Sequence, residues 1–249
     1  YESEHKELQP LTDELMPESW HFEFENTPDG QLWLDRVKEL AKIVSSGAAP
    51  SHIKKWQSSG SADFVAIVFD PLLYEPLLWT SNGAKLPFTF RPVSLQAPSE
   101  KRFVEEFKQY YEDHTEEFDG TDVYLMRNAS DKLRGIGFAQ AGGFYPDFLL
   151  WLIDKHSGKQ HLCFIAPKGL RNVPFNSPKL DFSKEIKVFQ NEINKSAKPP
   201  IVLNSVIVSD TKSSDLLSFF GHSQADYEAK NVFFFDCDWS PKLLDAARK

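Results

Sequence analysis

The sequence predicts an α/β fold in which a central mixed sheet is flanked by helices, with a separate helical and mixed segment ahead of it. Three observations carry this expectation. Apolar, strand-like runs recur at 121–127, 147–153, 160–165, 201–208 and 232–235. Around them lie stretches whose apolar residues repeat every three or four positions, the period of a helix with one buried face. The turn Asp154-Lys155-His156-Ser157-Gly158 joins the second and third strands as a hairpin, so those two must be antiparallel. Strands interleaved with helices, some paired as hairpins, require a mixed sheet covered by helices.

The elements follow in order. The first twenty residues are charged, carry Pro10 and Pro17 and show no periodicity, so they read as a linker or docking arm. From Asp29-Gly30, the residues Leu32, Trp33, Val37, Leu40, Ala41 and Val44 keep helical spacing as far as Ser45-Ser46-Gly47. Residues 63–69 read as a buried strand, after which Pro71, Pro76, Ser81-Asn82-Gly83 and Pro87 break the chain repeatedly. Residues 1–95 are therefore expected to form a connecting or docking module without chemistry of its own. The second unit, 96–249, opens at Pro98-Ser99, with Ser99 the expected cap of a helix whose inward face carries Phe103, Val104, Phe107, Tyr110 and Tyr111. Phe182, Ile186, Phe189 and Ile193 mark another helix, which Pro199-Pro200 ends. A short helix is expected at 216–220, and a last one with Ser240 as N-cap and Pro241 at its first position.

Composition excludes several classes. A hydrophobic content of 41% with 21 Phe rules out a disordered chain, which would lack the apolar surface to offset its ordering entropy. The two cysteines, Cys163 and Cys237, provide neither a disulfide framework nor a Cys-x-x-Cys knuckle, which points to a reducing, cytoplasmic setting. No apolar run is long enough to span a membrane and the first residues lack the basic and apolar regions of a signal peptide, so no membrane partner is expected. The chain opens on Tyr1 rather than Met, and a preceding partner domain is expected. A net charge of −8 argues against coating nucleic acid by bulk attraction, though it leaves room for a local basic groove, for which Lys168, Lys179, Lys184, Lys187 and Arg171 are candidates. The seven histidines form no His-x-x-x-His or His-Glu-x-x-His pair, and Gly135-x-Gly137 and Gly142-Gly143 fit no nucleotide loop.

The chemistry concentrates around Phe144-Tyr145-Pro146-Asp147-Phe148-Leu149-Leu150-Trp151 and Phe164-Ile165-Ala166-Pro167-Lys168. Alternation along a strand sends positions 166 and 168 to one face and Pro167 to the other. Asp147, at the start of the hairpin partner, can reach the same end of the sheet. Glu100 lies three residues before Phe103 and shares its inward helix face, an unusual place for a carboxylate unless something there needs it. Converging carboxylates and a lysine suit metal-assisted hydrolysis of a phosphodiester, which needs hard oxygen ligands for a divalent ion and a cation near the nucleophile.

These residues resemble the P-D…(D/E)-x-K nuclease superfamily. Together with Leu125-Met126-Arg127-Asn128, Gly135-Ile136-Gly137-Phe138, Gln160 and Gly169-Leu170, they look like the C-terminal nuclease domain of type III restriction enzyme Res subunits and of related helicase-nuclease phage-defence proteins. The clear likeness covers roughly residues 98–172. It implies a restriction-endonuclease-like core for 96–249, with Mg²⁺ or Mn²⁺ as cofactor and DNA as substrate. It also implies a helicase/ATPase domain ahead in the same polypeptide and a methyltransferase or other defence subunit as partner. Residue by residue it implies Asp147 as metal ligand, Lys168 as the cation that orients water or stabilises charge, and Glu100 as accessory acid and ligand. The second metal ligand falls on Ala166.

Here the chain departs from the pattern, because a methyl group cannot coordinate a cation. The expected consequence is a catalytically dead or nearly dead endonuclease. An Asp-to-Ala substitution and a naturally inactive pseudo-nuclease that binds nucleic acid or a protein both account for it, and the intact surrounding motif favours the substitution. Two weaker candidates, Asp210-Thr211-Lys212 and the Asp236/Asp238 pair, read as solvated turn residues.

Overall fold

In a computed structural model the described residues are 21–45, 53–57, 63–67, 69–73, 77–80, 86–91, 95, 97–128, 136–138 and 143–249. The chain divides into two compact units, Tyr1–Gln96 and Ala97–Lys249.

In the first unit, β1 (His21–Phe24) pairs antiparallel with β5 (Phe88–Arg91), and β2 (Ile53–Gln57), β3 (Asp63–Ile67) and β4 (Leu77–Thr80) form an antiparallel three-stranded sheet. The expected helix is present as α1 (Pro28–Ser45). Its stripe Trp33, Val37 and Leu40 is buried with Phe64, Ala66, Leu78 and Phe88. This module has a core of its own and more strand than its broken sequence implies, because runs of four or five residues are too short to display a period. The expected arm at 1–20 lies outside the described residues.

The second unit is a mixed α/β structure. Its helices are α2 (Pro98–Asp113), α3 (Pro178–Ile193), α4 (Ser213–Phe220), α5 (Gln224–Glu228) and α6 (Ser240–Arg248). Its strands β6 (Thr121–Arg127), β7 (Phe148–Asp154), β8 (Gln160–Lys168), β9 (Ile201–Ser209) and β10 (Val232–Phe234) form one sheet in the order β10-β9-β8-β7-β6. The first three of these are parallel, and β8, β7 and β6 are antiparallel, so β8 is the hinge between the two modes. Alternation along the strands sends Leu149, Phe164, Ala166, Leu203 and Ile207 into one buried cluster, where Leu180, Phe182 and Ile186 of α3 cover them. On the opposite face Phe103 of α2 packs on Phe148 and Trp239, and Asn204 of β9 donates to the carbonyl of Ala247 in α6.

Two expected caps are corrected. The residue preceding α2 is Ala97, not Ser99, whose hydroxyl is used elsewhere, donating to the Pro167 carbonyl at 3.0 Å. Likewise Trp239, not Ser240, precedes the first turn of α6, and its indole N–H donates to Glu106.

Candidate functional site

The predicted residues fall on three elements, α2, the start of β7 and the end of β8, that meet at one end of the sheet. Glu100 sits in the first turn of α2, where a carboxylate complements the helix dipole, and its Oε2 accepts from the Ala97 N–H at 3.3 Å. Asp147 directly precedes β7, and its N–H donates to the Ile165 carbonyl of β8 at 2.8 Å. Lys168 is the last residue of β8, with its ammonium 5.1 Å from the centroid of Phe144. Glu100, Asp147 and Lys168 are therefore brought together. Ala166 is on the same strand face as Lys168, but it is 1% exposed and packs among apolar side chains.

The residue that organises the group is Arg127, to which the sequence alone assigns no role. It ends β6 on the same strand face as Val123 and Leu125, and its guanidinium stacks 5.2 Å from the Phe148 centroid. One nitrogen donates to Glu100 Oε1 at 2.8 Å. The other donates to the Asp147 carbonyl at 2.6 Å and lies 3.6 Å from Asp147 Oδ1. Parity was the available signal, since an arginine in step with two inward-facing apolar residues must meet a carboxylate or leave a charge buried. The next residue, Asn128, is also buried. It donates to the carbonyls of Ile136 and Pro146 and accepts from the Ile136 N–H, and its own N–H donates to the Asp147 carbonyl. Arg127 and Asn128 thus hold the two successive carbonyls of Pro146 and Asp147. Gly137 approaches Tyr145 so closely that a Cβ would lie 2.2 Å from its ring, so any larger residue there would have to push that exposed ring aside.

Burial gives the two titratable ends of the site unusual properties. Desolvation pushes the Asp147 carboxyl up to about 7; Arg127 and Lys168 oppose the rise, while the charge of Glu100 and a hydrogen bond to it add to it. Burial also lowers the Lys168 ammonium to about 8, with Lys179 adding repulsion and Asp147 opposing. Of the other expected groove residues, Lys187 turns inward and donates to the Leu203 carbonyl, whereas Lys184 and Arg171 are exposed.

A hard divalent ion takes about six oxygen ligands. Here Glu100 and Asp147 are engaged by Arg127, the Pro167 carbonyl accepts from Ser99, and the Ala166 side chain offers no oxygen. Among the described residues no group of three or more His, Cys, Asp or Glu is placed to hold a metal ion. The donor set present does not fit a resident Mg²⁺ or Mn²⁺.

Beside this group, past the ends of β8 and β9, a cleft of about 450 Å³ is lined by Gly169, Arg171, Asn172, Asp210, Thr211, Lys212 and Asp215. Such crevices beyond the carboxyl ends of parallel strands are common ligand positions. Among the described residues, no helix is long and apolar enough to cross a membrane. No family model, curated protein or solved structure matches the chain.

Proposed function

We propose that residues 97–249 are a nuclease-type domain of a helicase-nuclease restriction or phage-defence protein, disabled at position 166 as the chain stands. The observation that carries this reading is the gathering of Glu100, Asp147 and Lys168, distant in sequence, at one end of the β7–β8 pair, with Ala166 facing the same way as Lys168. Arg127 compensates the two carboxylates, but the lysine beside them carries a further desolvation cost that the packing of the sheet end does not require. Strongly shifted titratable groups in a cluster are a feature of functional sites. In this reading Lys168 supplies the cation beside the scissile group, Asp147 and Glu100 supply oxygen, and hydrolysis is absent because one ligand is missing.

The experiment is Ala166→Asp, assayed for plasmid cleavage with Mg²⁺ and with the parent motor domain supplied. Cleavage by this variant and none by the present chain is the expected result. Cleavage by neither form overturns the reading. Lys168→Ala in the Ala166→Asp background should abolish cleavage while leaving the unfolding midpoint within a few degrees.

A second reading, a native non-catalytic module that binds nucleic acid or a partner, is favoured by the place of Ala166 in a closed apolar cluster. It requires that the Ala166→Asp variant fold poorly and stay inactive while duplex binding by the present chain, measured by fluorescence anisotropy, is retained.

A further inference from the structure

We propose that the Arg127 guanidinium is the resident cation of this site, neutralising Glu100 and Asp147 so that the chain is complete without a divalent ion and excludes one. The inference concerns the regulation of the same site and takes from the nuclease reading only the identity of the ion tested.

The geometry is that of a cation shared by two acids. Arg127 contacts a Glu100 carboxylate oxygen at 2.8 Å, lies 3.6 Å from an Asp147 carboxylate oxygen, and is held in place by the Asp147 carbonyl at 2.6 Å and by the Phe148 ring. Its side chain is 14% exposed and that of Glu100 is 9% exposed, so water does little to screen the pair. A divalent ion placed between the same two carboxylates would sit next to a fixed positive charge in a poorly screened environment, and it would have to displace the arginine first. Ala166 supplies no third carboxylate to draw an ion in against Arg127. The guanidinium also has a place in the fold that an exchangeable ion would not: through the Asp147 carbonyl it joins the end of β6 to the start of β7, and through Glu100 it joins both to α2. The arginine therefore does two things a metal would do, charge compensation and bridging of elements.

The test is calorimetric titration of the full chain with MnCl₂, alongside Arg127→Gln, which keeps hydrogen-bonding capacity without charge, and Arg127→Lys, which keeps the charge. The present chain and Arg127→Lys should show no saturable binding at millimolar Mn²⁺, and their melting temperatures should not respond to Mn²⁺ or EDTA. Arg127→Gln should gain Mn²⁺ binding by roughly 10–100-fold, the range over which groups contacting metal ligands alter affinity. The gain should vanish when Asp147→Asn is added. Stoichiometric, Asp147-dependent Mn²⁺ binding by the present chain overturns the proposal, as does a folded Arg127→Gln variant that remains silent to Mn²⁺. Should Arg127→Gln fail to fold, the titrations of the present chain and of Arg127→Lys still decide, because binding by either contradicts a resident arginine. None of these readouts uses cleavage, so an inactive Ala166→Asp variant would sink the nuclease reading and leave this one standing.

Discussion

Two groups of acids and bases lie close together in the second unit, and they differ in almost everything but residue type. Glu100, Arg127, Asp147 and Lys168 are held between α2, β6, β7 and β8, with each side chain largely buried. Arg171, Asp210, Lys212 and Asp215 line an open cleft; Arg171 is 68% exposed where it meets Asp215 at 3.4 Å, and Asp210 is 48% exposed where it meets Arg102 at 3.7 Å. Asp210-Thr211-Lys212 even carries the Asp-x-Lys spacing that position 166 lacks. The lesson is that spacing alone does not decide how charged residues are held. Water screens the cleft charges, whereas low polarity holds the buried group in one paired arrangement and shifts the proton affinities of Asp147 and Lys168.

The largest expected contrast is in stability. Removing Arg127 with Arg127→Ala should cost about 3–5 kcal/mol in urea unfolding, because two acids lose their compensating charge inside the fold. Arg171→Ala should change stability by less than about 0.5 kcal/mol. Equal losses at the two positions would dissolve the distinction. Next, Ala166→Asp should cost about 2–4 kcal/mol at neutral pH without added metal, since it buries a carboxylate in an apolar cluster. Recovery of most of that loss on adding Mn²⁺ would show that the new carboxylate turns toward Asp147 and Glu100.

The pH dependence is a finer test. The folded-state value of Asp147 lies above its unfolded value, so its contribution is complete below about pH 4 and is lost as pH rises through about 7. Lys168 is displaced in the other direction: its contribution is complete above about pH 10.4 and is lost as pH falls through about 8. Asp147→Asn should therefore flatten the decline in stability between pH 4 and 7, a slope on the order of 1.4 kcal/mol for each step of one in pH. Lys168→Met should flatten the rise between pH 8 and 10. The smallest effect is expected at Asp215→Asn in the cleft, which removes an exposed ion pair with Arg171 and should change stability by less than about 0.3 kcal/mol.

Much of the second unit is legible in the sequence. The α2 stripe of Phe103, Val104 and Phe107, the hairpin turn at 154–158, the α3 stripe of Phe182 and Ile186, and the strand at Ile201–Ser209 all lie where periodicity and turn residues put them. These signals are local, and each element's buried face can be read without knowing its neighbour. The departures have local reasons too. The short helix Gln224–Glu228 lies outside the expected elements, although Ser223 and Asp226 make a reciprocal cap, a four-residue signature visible in the chain. Ser99 and Ser240 have the residue type of caps, but the caps are displaced by one or two residues because a buried hydroxyl and an indole N–H find partners across the fold.

The sequence by itself determined which residues are apolar in which period, hence the strands and most of the helices of the second unit, and its resemblance to a nuclease motif singled out Glu100, Asp147, Ala166 and Lys168 as a set. Tertiary structure alone decided what that set became. Only when β6 is laid against β7, and α2 is packed on the sheet, does Arg127 come within hydrogen-bonding distance of Glu100 and of the Asp147 backbone, and only the surrounding core makes Ala166 a closed apolar position. The reason is physical: period is a property of neighbours in the chain, whereas desolvation and charge pairing depend on groups that the chain itself keeps far apart.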